Sequence, residues 1–352
     1  MSDDPLTLDE WRAAPRAAYA RLPDRLAAAD PAIFIARADT VPAGVPFAVK
    51  DNIDVAGMAT TAACPAFAYR PERSATAVAR LEAAGMTVVG KTNLDQFATG
   101  LVGVRSPYGV PANPFDAAVI PGGSSSGSAV AVARGLVPVA LGTDTAGSGR
   151  VPAMMNNIVG FKPSRGLIPT TGVVPACRSL DCVSVFALTV PDAVAALEIA
   201  AGPDAADPFS RRLEQRPMPA RWRLAVPAAD LTPWHGDDAG AAWFAAALDR
   251  LRGLGATIEE FDPRPFLAAA SLLYDGPWVA ERTAAVGDFV DANWDACDPT
   301  VRAIVRGGRG KSAVDAFRGA YALAALAAEA APVWTRCDAM VVPTAPRHWT
   351  VA

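Results

Sequence analysis

The sequence predicts an α/β fold, and three observations carry that prediction. A strand–helix–strand rhythm recurs along the chain, half of the residues (51%) are apolar, and only 19% are charged. Alternation of this kind builds a central sheet covered by helices. A length of 352 residues allows one large domain or two medium ones and buries a core without disulfide or metal staples.

In chain order, the first thirty residues read as helix. Thr7 and Glu10 have capping-box spacing, and Trp11, Ala14, Ala18 and Leu22 recur on a helical face. Pro15 and Pro23 are expected to kink or divide that segment. Ile33–Ala36 and Val45–Val49 are apolar runs of strand length. Residues 74–85 (SATAVARLEAAG) carry a serine cap, helical spacing and a glycine stop, and Thr87–Gly90 follows as a strand. The rhythm returns at 126–142, where GSAVAVARG precedes LVPVALG, and at 222–261, where WRLAVP, a helix over 237–254 and ATIEEF follow in order. The stretch 202–221, rich in Pro, Asp and Arg, reads as a surface connection and not as a domain boundary. No internal repeat is visible.

Composition excludes several function classes. The 32 basic and 36 acidic residues leave a net charge of −4, which gives no electrostatic footprint for nucleic acid or an anionic membrane. Arg134 interrupts the longest apolar run, so no segment is expected to span a membrane. The five cysteines (Cys64, Cys177, Cys182, Cys297 and Cys337) form no C-x-x-C pair and read as reduced thiols of a cytoplasmic protein. The N-terminal Met-Ser-Asp-Asp-Pro is acidic and lacks the charged-then-apolar order of a signal peptide. With only His235 and His348 present, a multi-histidine metal site is not expected and a histidine base has little material. Lysine is almost as scarce: Lys50, Lys91, Lys162 and Lys311 are the complete set.

Three segments carry chemistry. The apolar run Pro46-Phe47-Ala48-Val49 ends in Lys50-Asp51-Asn52; Pro121-Gly122-Gly123-Ser124-Ser125-Ser126-Gly127-Ser128 opens onto an Ala/Val helix; and Gly142-Thr143-Asp144-Thr145-Ala146-Gly147-Ser148-Gly149-Arg150 follows an apolar strand. Glycine-rich loops let successive N–H groups converge on an anion. Phosphate binding is disfavoured because G-x-G-x-x-G does not occur and no lysine lies between residues 92 and 161 to serve these glycine loops. Acyl transfer fits better. A serine hydroxyl needs a base, and with so few histidines that base is a lysine, which serves only when burial keeps it neutral. Lys50, at the end of an apolar strand, is best placed; Lys91 and Lys162 remain competitors, and spacing alone does not separate Ser124 from Ser125 or Ser126. Asp144 and Arg150 are expected to pair and hold their loop.

Together these segments resemble the amidase signature family, densely over residues 44–190 and loosely over most of the chain. The resemblance implies a central mixed, twisted sheet with helices on both faces. It also implies a Ser–cis-Ser–Lys triad, with Ser148 as nucleophile, Ser124 as the bridging serine and Lys50 as base. The backbone amides of Thr145, Ala146, Gly147 and Ser148 would form the oxyanion hole, although Ala146 stands where many members carry glycine. Residues 163–181 and Tyr274-Asp275-Gly276-Pro277-Trp278-Val279-Ala280-Glu281-Arg282 resemble the allophanate hydrolases within that family. That likeness implies a small anionic amide as substrate, its carboxylate held by Tyr274 and Arg282 and by the backbone at Gly100, with ammonia released and no cofactor or metal required. The eight-residue spacing of Tyr274 and Arg282 would put both on one side of a helix. Rival readings are another amidase, the amidase subunit of a glutamine-dependent aminoacyl-tRNA amidotransferase, or an inactive homologue serving as a binding module. Family members commonly form homodimers. Their amidase domains are usually longer, so the expectation is a single domain over 1–352 whose C-terminal part is absent, ending just after a core strand near Val341-Val342.

Overall fold

The computed structural model describes residues 4–38, 41–212, 214 and 217–351. Its contacts divide the chain into two compact units: Met1–Leu213 with Ala284–Arg306 and Thr350–Ala352, and Glu214–Thr283 with Gly307–Trp349. The chain passes from one to the other inside the 202–221 stretch, so that stretch is a unit boundary and not merely a surface connection.

The first unit opens with α1 (Leu8–Ala13) and α2 (Arg16–Ala28). The Thr7/Glu10 capping box is present, and Pro15 separates the two helices as their N-cap boundary. Pro23 does not: α2 continues through it, held on the core by buried Ala18, Leu22 and Leu26 at helical spacing. Six strands follow: β1 (Phe34–Arg37), β2 (Pro46–Lys50), β3 (Thr87–Thr92), β4 (Val139–Asp144), β5 (Val159–Phe161) and β6 (Cys182–Ala187). They form one sheet in the order β1-β3-β2-β4-β6-β5. Pairings β2–β3 and β2–β4 are parallel; β1–β3, β4–β6 and β5–β6 are antiparallel. This is the mixed sheet expected. Every residue of β2, β4 and β6 is buried, which is why these strands read as continuous apolar runs and not as alternating ones. Helices α3 (Thr76–Ala83), α4 (Ser126–Ala133), α5 (Val151–Met155) and α6 (Val190–Ala200) pack on the sheet. The expected serine cap of α3 is absent: Ala75 holds the cap position, and Ser74 Oγ instead accepts from Ala56 N–H at 3.0 Å.

The remaining helices are α7 (Asp238–Gly253), α8 (Arg264–Ser271), α9 (Val279–Ala292), α10 (Pro299–Gly307) and α11 (Ala313–Arg336). In the second unit, β7 (Arg223–Pro227), β8 (Thr257–Phe261) and β9 (Ala339–Met340) make a separate parallel sheet in the order β8-β7-β9. The third strand–helix–strand repeat therefore lies where the sequence placed it but builds its own sheet. The apolar run near Val341 yields only the two-residue β9, and Val342 beyond it is 49% exposed. Among the described residues no helix is long and apolar enough to cross a membrane.

The parallel strands β2 and β4 are adjacent and in register from Phe47↔Val139 to Val49↔Leu141. Their C-terminal ends therefore open at the same edge of the sheet. That edge carries Lys50 from β2 and Thr143-Asp144 from β4.

Candidate active site

Lys50 is fully buried, and its Nζ is hydrogen bonded to Ser124 Oγ at 2.7 Å and donates to Thr143 Oγ1 at 2.8 Å. Strand parity separates it from Lys91. Val49 pairs with Lys91 across β2 and β3, so Lys91 shares the face of Val49 and Lys50 takes the other. On its face, Lys91 is paired with buried Asp51 at 2.9 Å and donates to Thr60 Oγ1 at 3.0 Å. Burial pushes the Lys91 ammonium below its ordinary pKa, against the pull of Asp51. Lys162 donates to the carbonyl of Pro163 at 2.9 Å. Lys50 is thus the lysine joined to the serine loop.

The three serines separate equally well. Ser125 Oγ donates to the Thr143 carbonyl at 3.1 Å, and Ser126 Oγ donates to the Asn93 carbonyl at 3.4 Å. Only Ser124 of the three is bonded to Lys50, and the Gly123–Ser124 peptide is cis. Asp95, which the sequence did not single out, organises this loop. Its N–H donates to the Ser124 carbonyl at 3.0 Å, and its buried carboxyl accepts from the amides of Gly103 and Arg105, each at 3.0 Å. Burial raises the Asp95 pKa above the ordinary carboxylate value, although those amides and nearby cations oppose it. A Cβ at Gly123 would lie 2.1 Å from Asp95 Oδ2, so this close approach requires glycine.

After β4 the chain wraps around the Asp144 carboxylate. Arg150 grips it with both Nε and Nη2 at 2.9 Å, and the amides of Gly147 and Gly149 donate to it at 2.7 and 3.0 Å. Burial pushes the Asp144 carboxyl up, but the Arg150 hydrogen bonds and charge, with the two amides, outweigh it and hold the pKa below the ordinary value. The expected pair is present. Gly147 has φ +134, a conformation that favours glycine. Its N–H is already donated to Asp144, however, so the oxyanion role expected of Gly147 finds that amide in use. Ser148 is 4% exposed, and its Oγ donates to the Gly100 carbonyl at 3.4 Å. Two residues expected at the site, Gly100 and Ser148, are therefore in contact. Thr145 Oγ1 donates to Asp181, whose carboxylate also receives the amides of Ala176 and Cys177 at 2.9 and 3.1 Å. An Asp181 role had no distinctive signal, since nothing local links it to Thr145.

Tyr274 and Arg282 both belong to the second unit. They do not share a helix as the spacing suggested. Tyr274 lies in the turn between α8 and α9, whereas Arg282 lies on α9. Pro277 accounts for the difference, because proline disfavours helix in the residue before it. The two side chains meet nonetheless: Arg282 Nη2 donates to Tyr274 Oη at 3.1 Å, with the guanidinium 5.2 Å from the ring centroid. Accepting this bond leaves the phenol proton available for a further acceptor. Among the described residues no group of three or more His, Cys, Asp or Glu side chains is arranged to hold a metal ion.

A buried amine bonded to a buried serine, beside a glycine-rich loop that presents a second serine, is material for acyl transfer. Comparison with known proteins agrees. The family model described as Amidase matches residues 26–351. The chain belongs to the amidase signature family. It is 49% identical over 313 residues to the urea amidolyase of Lachancea kluyveri, covering 87% of this chain and 17% of that protein. The Kluyveromyces lactis allophanate hydrolase structure superposes with a TM-score of 0.93 at 39% identity, over 99% of this chain and 62% of that one. The urea amidolyase of Saccharomyces cerevisiae is 47% identical over 314 residues, covering 88% of this chain and 17% of that protein. The chain thus spans less than two thirds of each of these relatives. Its fold is the amidase signature fold expected from the sequence.

Proposed function

We propose that the protein hydrolyses the terminal amide of allophanate, releasing ammonia through an acyl-enzyme. The observation that carries this reading is the buried 2.7 Å contact of Lys50 Nζ with Ser124 Oγ, at the sheet edge from which the Ser148 loop also departs. In the reaction, Lys50 accepts a proton through Ser124 as Ser148 Oγ attacks the amide carbon. The amides of Thr145, Ala146 and Ser148 stabilise the oxyanion, joined by Gly147 where its N–H turns from Asp144. Collapse breaks the C–N bond, the relay returns the proton to the departing nitrogen, and ammonia leaves. Water then cleaves the Ser148 ester by the same base. No step calls for a metal or an organic cofactor.

The choice of allophanate rests on likeness to the urea amidolyases and the allophanate hydrolase, and on the Arg282–Tyr274 pair. A planar guanidinium takes a carboxylate in bidentate fashion, and the phenol proton supplies a further donor. Gly100 supplies the backbone contact in this reading. The five cysteines are free and buried, which supports a reducing cytoplasm as its compartment.

Ammonia release from allophanate, but not from glutamine or simple amides, is the expected result. The opposite profile would favour the aminoacyl-tRNA amidotransferase reading, and no turnover with any of them would favour a binding module. Arg282→Lys is expected to raise KM for allophanate about tenfold or more with kcat little changed, because an ammonium cannot reproduce the fork. An unchanged KM would remove Arg282 from the carboxylate site.

A further inference from the structure

We propose that Thr143 is a positioning residue for the catalytic base, holding Lys50 Nζ at the one place from which it reaches Ser124. The inference rests on the reading of Lys50 as base. A lysine ammonium rides on a flexible four-carbon stem and has no preferred geometry of its own. Something must therefore fix its last atom. Thr143 Oγ1 accepts from Lys50 Nζ at 2.8 Å, nearly as close as Ser124 Oγ at 2.7 Å on the same nitrogen.

Thr143 is itself held from two sides. Asn52 Nδ2 donates to its Oγ1 at 3.3 Å, and Asn52 is anchored in turn by donating to the Val174 carbonyl at 3.3 Å. On the backbone, Ser125 Oγ donates to the Thr143 carbonyl and accepts from the Thr143 N–H, at 3.1 and 3.4 Å. Ser125 is the neighbour of Ser124, so the contacts close a circuit: Lys50 to Ser124, along the chain to Ser125, across to Thr143, and back to Lys50. Lys50, Asn52, Ser124, Ser125 and Thr143 are all buried, so water offers little substitute for a lost partner. Moving Nζ by a fraction of its hydrogen-bond length takes it out of reach of the Ser124 proton, and such misplacement acts on the chemical step rather than on binding.

Two readouts test this: allophanate turnover, and the rate at which a fluorophosphonate serine-hydrolase probe labels Ser148 in the full chain. Thr143→Val keeps the shape and removes the hydroxyl. It is expected to slow labelling and lower kcat together by about tenfold to a hundredfold, with KM unchanged, as fits loss of one hydrogen bond to the ammonium that Lys50 becomes as it takes the proton. Thr143→Ser restores the hydroxyl and is expected to recover most of both rates. Labelling of Thr143→Val at the wild-type rate would overturn the proposal, and so would a Thr143→Ser variant as slow as Thr143→Val. If Thr143→Val does not fold, Thr143→Ala against Thr143→Ser reads the same hydroxyl, and equal rates overturn it. If allophanate is not the substrate, turnover is absent in the wild type while the labelling difference persists, which separates the two failures. A wild type whose Ser148 never labels would overturn the proposal along with the base on which it rests.

Discussion

Lys50→Ala is expected to remove acylation of Ser148, lowering turnover and probe labelling by about a thousandfold, the contribution of a positioned general base. Lys50→Arg is the sharper variant. It keeps positive charge and length but cannot lose its proton, so it is expected to be as inactive as Lys50→Ala. A lysine serving only as a cation would tolerate that change. The expected melting behaviour differs from the catalytic one. Removing Lys50 costs the Ser124 and Thr143 hydroxyls, both small and neutral, one partner each, and the Asp95 carboxyl that also feels Lys50 keeps the Gly103 and Arg105 amides. Removing Lys91 would instead strand the buried Asp51 carboxylate that it neutralises at 2.9 Å. Lys50→Ala is thus expected to fold and to be inactive, whereas Lys91→Ala is expected to lose stability first. Near wild-type turnover in Lys50→Arg would sink the lysine-base mechanism.

Much of this architecture is legible in the sequence because it is local. The apolar run that ends in Lys50, the Gly-Ser loop opening onto α4, and the loop after β4 are each read from a few adjacent residues. Which lysine faces the serine loop is decided by the pairing of Val49 with Lys91, and register between strands about forty residues apart leaves no local trace. The choice of Ser124 over its neighbours is likewise made by contacts with β2, β4 and the segment around Asn93. The third strand–helix–strand repeat shows the same limit: β7, α7 and β8 are visible as elements, but the separate sheet they join is a matter of non-local pairing. The Tyr274–Arg282 contact was expected for the wrong geometric reason, since helical spacing does not apply across the turn before Pro277. One missed detail has a local signal. An aspartate three residues before a glycine amide is a frequent acceptor for it, and Asp144 takes the Gly147 N–H in that way.

That same carboxylate bears the second large effect. Asp144→Ala is expected to destabilise the protein by about 2–5 kcal/mol, because it leaves the Gly147 and Gly149 amides without their acceptor in a buried loop. Arg150 adds less than its geometry suggests. Its side chain is 46% exposed, so solvent screens the charge it brings to Asp144. Arg150→Met should therefore cost less than Asp144→Ala at neutral pH. The pH dependence separates charge from packing. A carboxyl held below its unfolded value contributes stability that is present above the ordinary carboxylate range and is lost as pH falls through the folded-state titration. Asp144 is held down in this sense, so its contribution should fade on the acid side of the ordinary aspartate value. The wild type and Arg150→Met should accordingly differ in urea midpoint at pH 7 and converge in strong acid. A gap that stays constant down to that range would mean that Arg150 acts through packing of its stem and not through the Asp144 charge. Activity should follow stability only in part. Ser148 lies on the loop that Asp144 ties together, so Asp144→Ala should label slowly at Ser148 even at temperatures where the variant is fully folded.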